Sequence, residues 1–418
     1  MKLMKISAAV LIATALVTAL TAQKPTQVVG ISDAGKAALS KQIADAAARG
    51  DTPGVVEIVV DREKTLYLGA AGKFDIAKNV PMATNAIFNI ASMTKPVTSV
   101  VIMMLKEAGQ LRLDDPVSAY LDGYDKLQVI STFNDKDGTY QTRPAKRPMT
   151  IRHLLAHTSG IGYTTWSPIA LKIQEKTQKN EWEQPLLSDP GEVWHYSAST
   201  RVLGFIVEKV TKTTLEAWYQ EHIFKPLGMV DTSWAVAADK QSRVATQYRR
   251  ADGGKLEELP KTPIAPTPTP PFRGDGGLYS TAEDYSRFVR MLLNGGRLGS
   301  VRILNDASVK MMGENQIGSI FVEEQPVAVP ARSRPMPLGA GKDKFGLGFQ
   351  IASNDPRYAG FRSPGSMSWA GLYNTEFWVD PVKGIGAIQL MQVLPFYDEG
   401  AIRTLRDFEK LVYSSLTY

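Results

Sequence analysis

Phe88-Asn89-Ile90-Ala91-Ser92-Met93-Thr94-Lys95 is followed by Pro96 and by an apolar helical pattern through Val100, Val101, Met104 and Leu105. With Ser92 in the first turn of that helix, Lys95 at i+3 lies on the same face one turn along, so the hydroxyl and the amine can touch. A buried lysine in such a place loses its proton at neutral pH, because desolvation disfavours the ammonium, and it can then accept the serine proton. The helix N-terminus adds outward-pointing NH groups and a positive dipole end where an oxyanion would form. Pro96, early in the helix, removes at most one backbone hydrogen bond. S-x-x-K tetrapeptides arise by chance in many chains, so this one needs company.

The composition limits what that company can be. The chain has 418 residues, no cysteine and four histidines, His153, His157, His195 and His222. A thiolate nucleophile, a disulfide framework, a zinc ribbon and a Cys-ligated cluster are all excluded, which leaves oxygen and nitrogen groups for any catalysis. With 44% hydrophobic and 22% charged residues the chain is an ordinary globular protein, and at ~150 residues per domain it has room for two or three structural units. The formal charge of +6 comes from dispersed Lys and Arg with no run of five or six, which argues against a nucleic-acid partner. His153 and His157 stand four apart, but a zincin pattern needs Glu beside the first histidine and Leu154 stands there. They are expected to be structural, in a helix and the turn after it, with no metal and no cofactor. A nucleophile elbow G-x-S-x-G is absent, and Gly365-Ser366-Met367-Ser368-Trp369 lacks the final glycine.

Strand patterns occur near both ends of the chain. Residues 55–60 are β-branched, 65–69 resume an apolar pattern after a polar turn, and 345–352, 375–379 and 385–393 are bounded by Gly, Asp or Pro. Between them the pattern is helical, as in Val202, Leu203, Ile206, Val207 and Val210, or Tyr285, Phe288, Val289, Leu292 and Leu293. Ser280-Thr281-Ala282-Glu283 fits a capping box for the second of these, and Asn294-Gly295-Gly296 supplies its stop. A last amphipathic helix covers 402–412. This order implies an α+β arrangement, with a sheet region at 23–85 and 285–418 and an inserted, mostly helical region at 86–284. Residues 260–271 hold six prolines and read as an extended strap across a surface. Residues 132–149 and 317–339 lack periodicity and read as loops that wall a site.

Residues 1–22 combine two lysines, an apolar stretch from Ile6 and a small-residue end. They read as a secretory signal cleaved after Ala22 or Ala19, with an uncleaved anchor as the competing reading. The expectation is an exported, periplasmic or secreted protein without a stable membrane anchor.

Two further segments give Ser92 its company. Gly191-Glu192-Val193-Trp194-His195-Tyr196-Ser197-Ala198 precedes the helix starting near Thr200, and Ser366-Met367-Ser368-Trp369-Ala370-Gly371-Leu372 precedes the strand at Thr375. Taken in this order the three motifs resemble the serine β-lactamase and penicillin-binding-protein superfamily, most closely its class C branch and the family VIII carboxylesterases. Residues 150–160 and 276–282 carry the same resemblance. It implies an antiparallel sheet flanked by helices, Ser92 as acylated nucleophile, and Tyr196 as general base. Lys95 would be the proton acceptor, or the cation that lowers the Tyr196 pKa. The NH groups of Ser92 and Leu372 would form the oxyanion hole, with Trp369, Ala370, Gly371, Tyr163 and Ala198 around the substrate.

Two departures bear on the substrate. The family's Y-x-N motif has Ala198 at its third position, and the K-T-G motif is replaced by Trp369-Ala370-Gly371. Both missing groups recognise amide and carboxylate rather than the scissile bond. Losing the cation removes a charge-assisted hydrogen bond of ~1.5–3 kcal/mol to a substrate carboxylate and puts an apolar wall in its place. The expected function is hydrolysis of short-chain carboxylic esters through a seryl acyl-enzyme, with a small-molecule ester as partner and weak β-lactam turnover as a side activity. The alternatives are a β-lactamase or D-amino-acid peptidase, and a catalytically silent penicillin-binding-like protein.

Overall fold

Gly54–Val60 reads Gly-Val-Val-Glu-Ile-Val-Val, and all seven residues are buried. A strand rich in β-branched residues and buried on both faces needs a packed layer on each side. The computed structural model, which describes residues 29–358 and 360–418, supplies both. The expected export signal at 1–22 lies outside the described residues.

The main sheet has eight antiparallel strands. Three come from the N-terminal part, β1 (Gly54–Val60), β2 (Thr65–Asp75) and β3 (Val80–Pro81). Five come from the C-terminal part, β4 (Lys344–Phe345), β5 (Gln350–Ile351), β6 (Met367–Gly371), β7 (Thr375–Asp380) and β8 (Ile385–Leu390). Their order is β4-β5-β6-β7-β8-β1-β2-β3. The two chain ends meet where β8 pairs with β1, from Gly386↔Val60 to Leu390↔Val56.

Five long helices complete the layers: α1 (Asp33–Ala48), α2 (Thr94–Glu107), α3 (Ser199–Thr211), α4 (Ala282–Leu293) and α5 (Glu399–Ser415). α1 and α5 cover one face, where Leu39, Phe408 and Val412 pack with Val59, Trp378 and Ala387. The other face carries the larger core, to which α2, α3 and α4 contribute Val97, Val101, Leu203, Ile206, Tyr285 and Phe288. In α2 every residue from 94 to 103 is buried. A helix buried all round is a central one, and here it is the helix that follows Ser92. Among the described residues no helix is long and apolar enough to cross a membrane.

Four local expectations are corrected. The N-cap of α4 is Thr281, whose side chain accepts from the Asp284 NH at 3.1 Å. Ser280 belongs instead to a short strand, Tyr279–Ser280, paired with Phe88–Asn89. Residues 345–352 are two short strands, because Gly348 takes φ +92° and its Cα faces Ser99, where a Cβ would meet Oγ at 2.2 Å. The apolar pattern at 385–393 breaks after Leu390, and Val393–Leu394 pairs in parallel with Tyr248–Arg250. The polar stretch 132–149 overlaps a hairpin, Gln128–Phe133 with Tyr140–Pro144, rather than an irregular loop.

Candidate active site

The nucleophile segment is held by its neighbours before the helix begins. Phe88–Asn89 pairs with Tyr279–Ser280, and the Asn89 side chain accepts from the Ala91 NH at 3.0 Å. Ala91 then takes φ +43°, in the left-handed region that a residue with a Cβ avoids. Ser92 sits on a single 3₁₀ turn, Ala91–Met93, that feeds α2. The serine is therefore just ahead of the helix rather than in its first α turn, with Lys95 one turn on. Lys95 Nζ donates to Ser92 Oγ at 3.1 Å and to the Asp275 carbonyl at 2.8 Å.

Lys95 is 1% exposed. Burial pulls its ammonium down to a pKa of about 7; the Asp275 carboxylate opposes that shift while Arg273 and Arg201 add to it. Asp275 is the hub of this side of the site. Arg201 Nε donates to its Oδ1 at 2.7 Å and the Tyr163 hydroxyl to its Oδ2 at 3.1 Å. Burial resists the Asp275 charge, but Lys95, Arg273 and Arg201 outweigh it and hold the carboxyl well below the usual carboxylate range.

Tyr196 ends the loop before α3 and is 3% exposed. Its ring is packed by Trp166 at 4.9 Å, Trp369 at 5.0 Å and His157 at 5.1 Å between centroids, and Lys95 Nζ lies 4.9 Å from its centre. Burial pushes its phenol well above the ordinary tyrosine value, and the neighbouring Ser92 hydroxyl pulls part of the way back. The Trp369 indole NH is aimed at the same phenol but falls short of a hydrogen bond. Behind the ring, His157 Nδ1 meets Ser197 Oγ at 3.0 Å, and Ser197 meets Ser199 at 2.6 Å. His153 is elsewhere, capping its own helix by accepting the Thr150 NH at Nδ1.

Leu372 follows the end of β6. Among the described residues neither its NH nor that of Ser92 is used in a turn or loop hydrogen bond, and both residues line one cavity. Gly371 allows this approach, since a Cβ there would stand 2.3 Å from the Ile90 carbonyl. Trp369, Ala370 and Tyr196 also line the cavity.

A serine bonded to a buried lysine, a phenol and two NH groups thus come together beside one cavity, on a sheet made from both chain ends. The family described as Beta-lactamase matches residues 39–411. The chain belongs to that family. Among relatives, it is 34% identical to Protein Rv1367c of Mycobacterium tuberculosis, over 86% of this chain and 90% of that one. It is 27% identical to Monacolin J acid methylbutanoyltransferase of Aspergillus terreus, over 80% and 83%, and 27% identical to Esterase EstB of Burkholderia gladioli, over 81% and 85%. Among solved structures it resembles a mutant simvastatin synthase from Aspergillus terreus, with a TM-score of 0.77 and 26% identity over 91% of this chain and 98% of that one. This is a β-lactamase-fold family with esterase and acyltransferase members.

Two of the residues expected around the substrate do not line this cavity. Tyr163 is turned to Asp275 and lies 5.3 Å from Lys95 Nζ at its ring centre, and it is not among the cavity-lining residues. Ala198 is 1% exposed at the N-cap of α3 and is also outside the lining. The loop 317–339 does wall the cavity, through Met336, Pro337 and Leu338, whereas 132–149 does not. Sequence reasoning missed Asp275 and Arg201. An aspartate in Gly274-Asp275-Gly276, directly before the 276–282 segment, was the available signal. Trp166 was missed because a lone aromatic carries no role until its neighbours are known.

Proposed function

We propose that this protein hydrolyses short-chain, uncharged carboxylic esters through an acyl-enzyme on Ser92. The observation that carries the reading is the Lys95 amine, 3.1 Å from Ser92 Oγ and buried, so that its pKa is pulled down to about 7. Neutral Lys95 takes the Ser92 proton as Oγ bonds to the ester carbonyl carbon. The carbonyl oxygen becomes an oxyanion between the NH groups of Ser92 and Leu372. The tetrahedral intermediate collapses, the C–O bond to the alcohol breaks, and the alcohol leaves with the proton held by Lys95, passed through the Tyr196 hydroxyl. Water then enters by the reverse path, giving up a proton to the same pair and releasing the acid. With its phenol pushed up by burial, Tyr196 acts here as a neutral relay rather than as a standing phenolate.

Trp369 supports the uncharged substrate. It occupies the position where a carboxylate-binding lysine would sit, and it adds a wall without a cation. A chromogenic short-chain ester and a chromogenic cephalosporin, assayed side by side with Ser92→Ala as control, test the reading. Ester turnover that vanishes in Ser92→Ala is expected; fast cephalosporin turnover without ester turnover would overturn it. The similarity to a methylbutanoyltransferase supports a second reading, in which an alcohol replaces water as acceptor of the Ser92 acyl group. Product analysis with added alcohol separates the two. Export through residues 1–22 belongs to the same proposal and is checked by cell fractionation.

A further inference from the structure

The cavity that starts at Ser92 continues past the catalytic groups. β5 pairs with β6 only at Gln350↔Ser368 and Ile351↔Met367, so the rest of β6, from Trp369 to Gly371, is an open edge. The cavity rounds that edge to the opposite face of the sheet, where Gln350, Tyr358, Arg362, Glu376, Tyr397 and Glu409 line it. Glu376 is level with Ala370 on β6 and with Gln389 on β8. It shares its face with Trp378, which packs on Phe408 of α5.

Most polar groups in this arm satisfy one another. Arg362 forks onto Glu409 at 2.6 and 3.1 Å. Gln350 and Tyr358 both donate to Asp343, at 2.6 and 2.8 Å. Two groups do not. Glu376 Oε1 is buried without a partner among the described residues, and the Tyr397 hydroxyl accepts the Leu338 NH at 2.9 Å but donates to no described group. Buried polar atoms are otherwise paired as a rule, and leaving one unpaired is costly. Glu376 and Tyr397 both line the cavity that Ser92 lines, with Glu376 Oε1 itself buried beside it.

We infer that this arm is a substrate subsite in which Glu376 and Tyr397 hydrogen-bond a hydroxyl at the far end of the ester, on its acyl or its alcohol side. The inference rests on the esterase reading and narrows its substrate class from plain short-chain esters to esters with a polar tip. A neutral hydroxyl fits better than an ion. Burial pushes the Glu376 carboxyl up to about 8, with Arg362 opposing and Glu409 adding to the shift, so near neutrality it carries both an O–H donor and a carbonyl acceptor. A charged tip would meet the self-satisfied Arg362–Glu409 pair and lose its hydration.

The test is binding to Ser92→Ala by calorimetry, which needs no turnover. Ethyl esters of ω-hydroxy acids of increasing length, and acetate esters of matching diols, are each compared with the unsubstituted ester of equal length. The best hydroxylated ester is expected to bind about tenfold more tightly, the size of one or two neutral hydrogen bonds to buried groups. In S92A/E376L the preference should fall severalfold, while in S92A/E376Q, whose amide still donates and accepts, it should persist. Tyr397→Phe in the same background should lower it about threefold, which covers an E376L protein that does not fold. Equal binding on both arms, or a preference untouched by both E376L and Tyr397→Phe, overturns the inference. Wild-type turnover of the plain esters is measured separately, so that failure of the esterase reading is seen as such.

Discussion

Asp275 and Glu57 are both carboxylic acids sealed from solvent, at 2% and 0% exposure, yet their environments drive them in opposite directions. Asp275 sits among Lys95, Arg201 and Arg273 and stays ionised. Glu57, on β1, has no partner for either oxygen, and burial, reinforced by Asp407, pushes its carboxyl well above the ordinary glutamate value. Its register neighbours continue the pattern. Gln389 stands opposite it with both amide atoms unpartnered, and Glu376 stands opposite Gln389. Around Asp275 charge is thus buried with counter-charge, whereas the row Glu57, Gln389 and Glu376 is buried as neutral polar groups. Desolvation is common to both; the supply of cations decides the protonation state. The proposed acyl transfer draws on the first arrangement, which holds Lys95 with its pKa pulled down to about 7.

The comparison breaks most severely if the charged arrangement loses its hub. Asp275→Ala strands Arg201 next to Lys95, and breaking a buried pair in this way destabilises by about 3 kcal/mol; the urea midpoint should fall accordingly, with ester turnover lost. Gly371→Ala acts at the wall of the cavity. Its Cβ would collide with the Ile90 carbonyl and displace the Leu372 NH, so kcat should drop about a hundredfold, the effect of losing one oxyanion donor.

A pH profile sharpens the contrast with a smaller effect. Lys95 is a base only when neutral, so kcat/KM should rise with pH to a midpoint near 7 and then level off. Asp275→Asn removes the influence that raises the Lys95 pKa and should move that midpoint to lower pH. The smallest effect belongs to the neutral row. Unfolded Glu57 releases its proton around 4.5, whereas the folded group keeps it far higher. Native protein therefore binds the extra proton, and stability falls as pH rises from 4.5 toward the folded value. Glu57→Gln should raise Tm by an amount that grows as pH rises above the unfolded value of 4.5; a difference independent of pH would mean that Glu57 is ionised or solvated.

What could be read from the sequence divides along the same line. The meeting of Ser92, Lys95 and Tyr196 was legible because their spacing and order carry a local pattern, and the assembly of the sheet from both chain ends followed from where the β-branched runs lie. The partners that set the charge of Lys95 were not. Asp275 reaches Lys95 across 180 residues, through its own backbone carbonyl, and no periodicity records that. Glu57 looked like part of an ordinary strand, and its link to Glu376 depends on register across β8. The α4 cap was misjudged by one residue because Ser280 and Thr281 are both good caps, and only the pairing of Tyr279–Ser280 with Phe88–Asn89 assigns Ser280 to the strand.

The central claim is that acyl transfer runs through Ser92 with Lys95 as its base. Intact-protein mass spectrometry after rapid mixing with an activated short-chain ester, followed by peptide mapping, tests it most directly. One acyl group should appear on the peptide containing Ser92, forming faster above pH 7 than below it and not at all in Ser92→Ala. An acyl group on another residue, or turnover that persists in Ser92→Ala, would contradict the account.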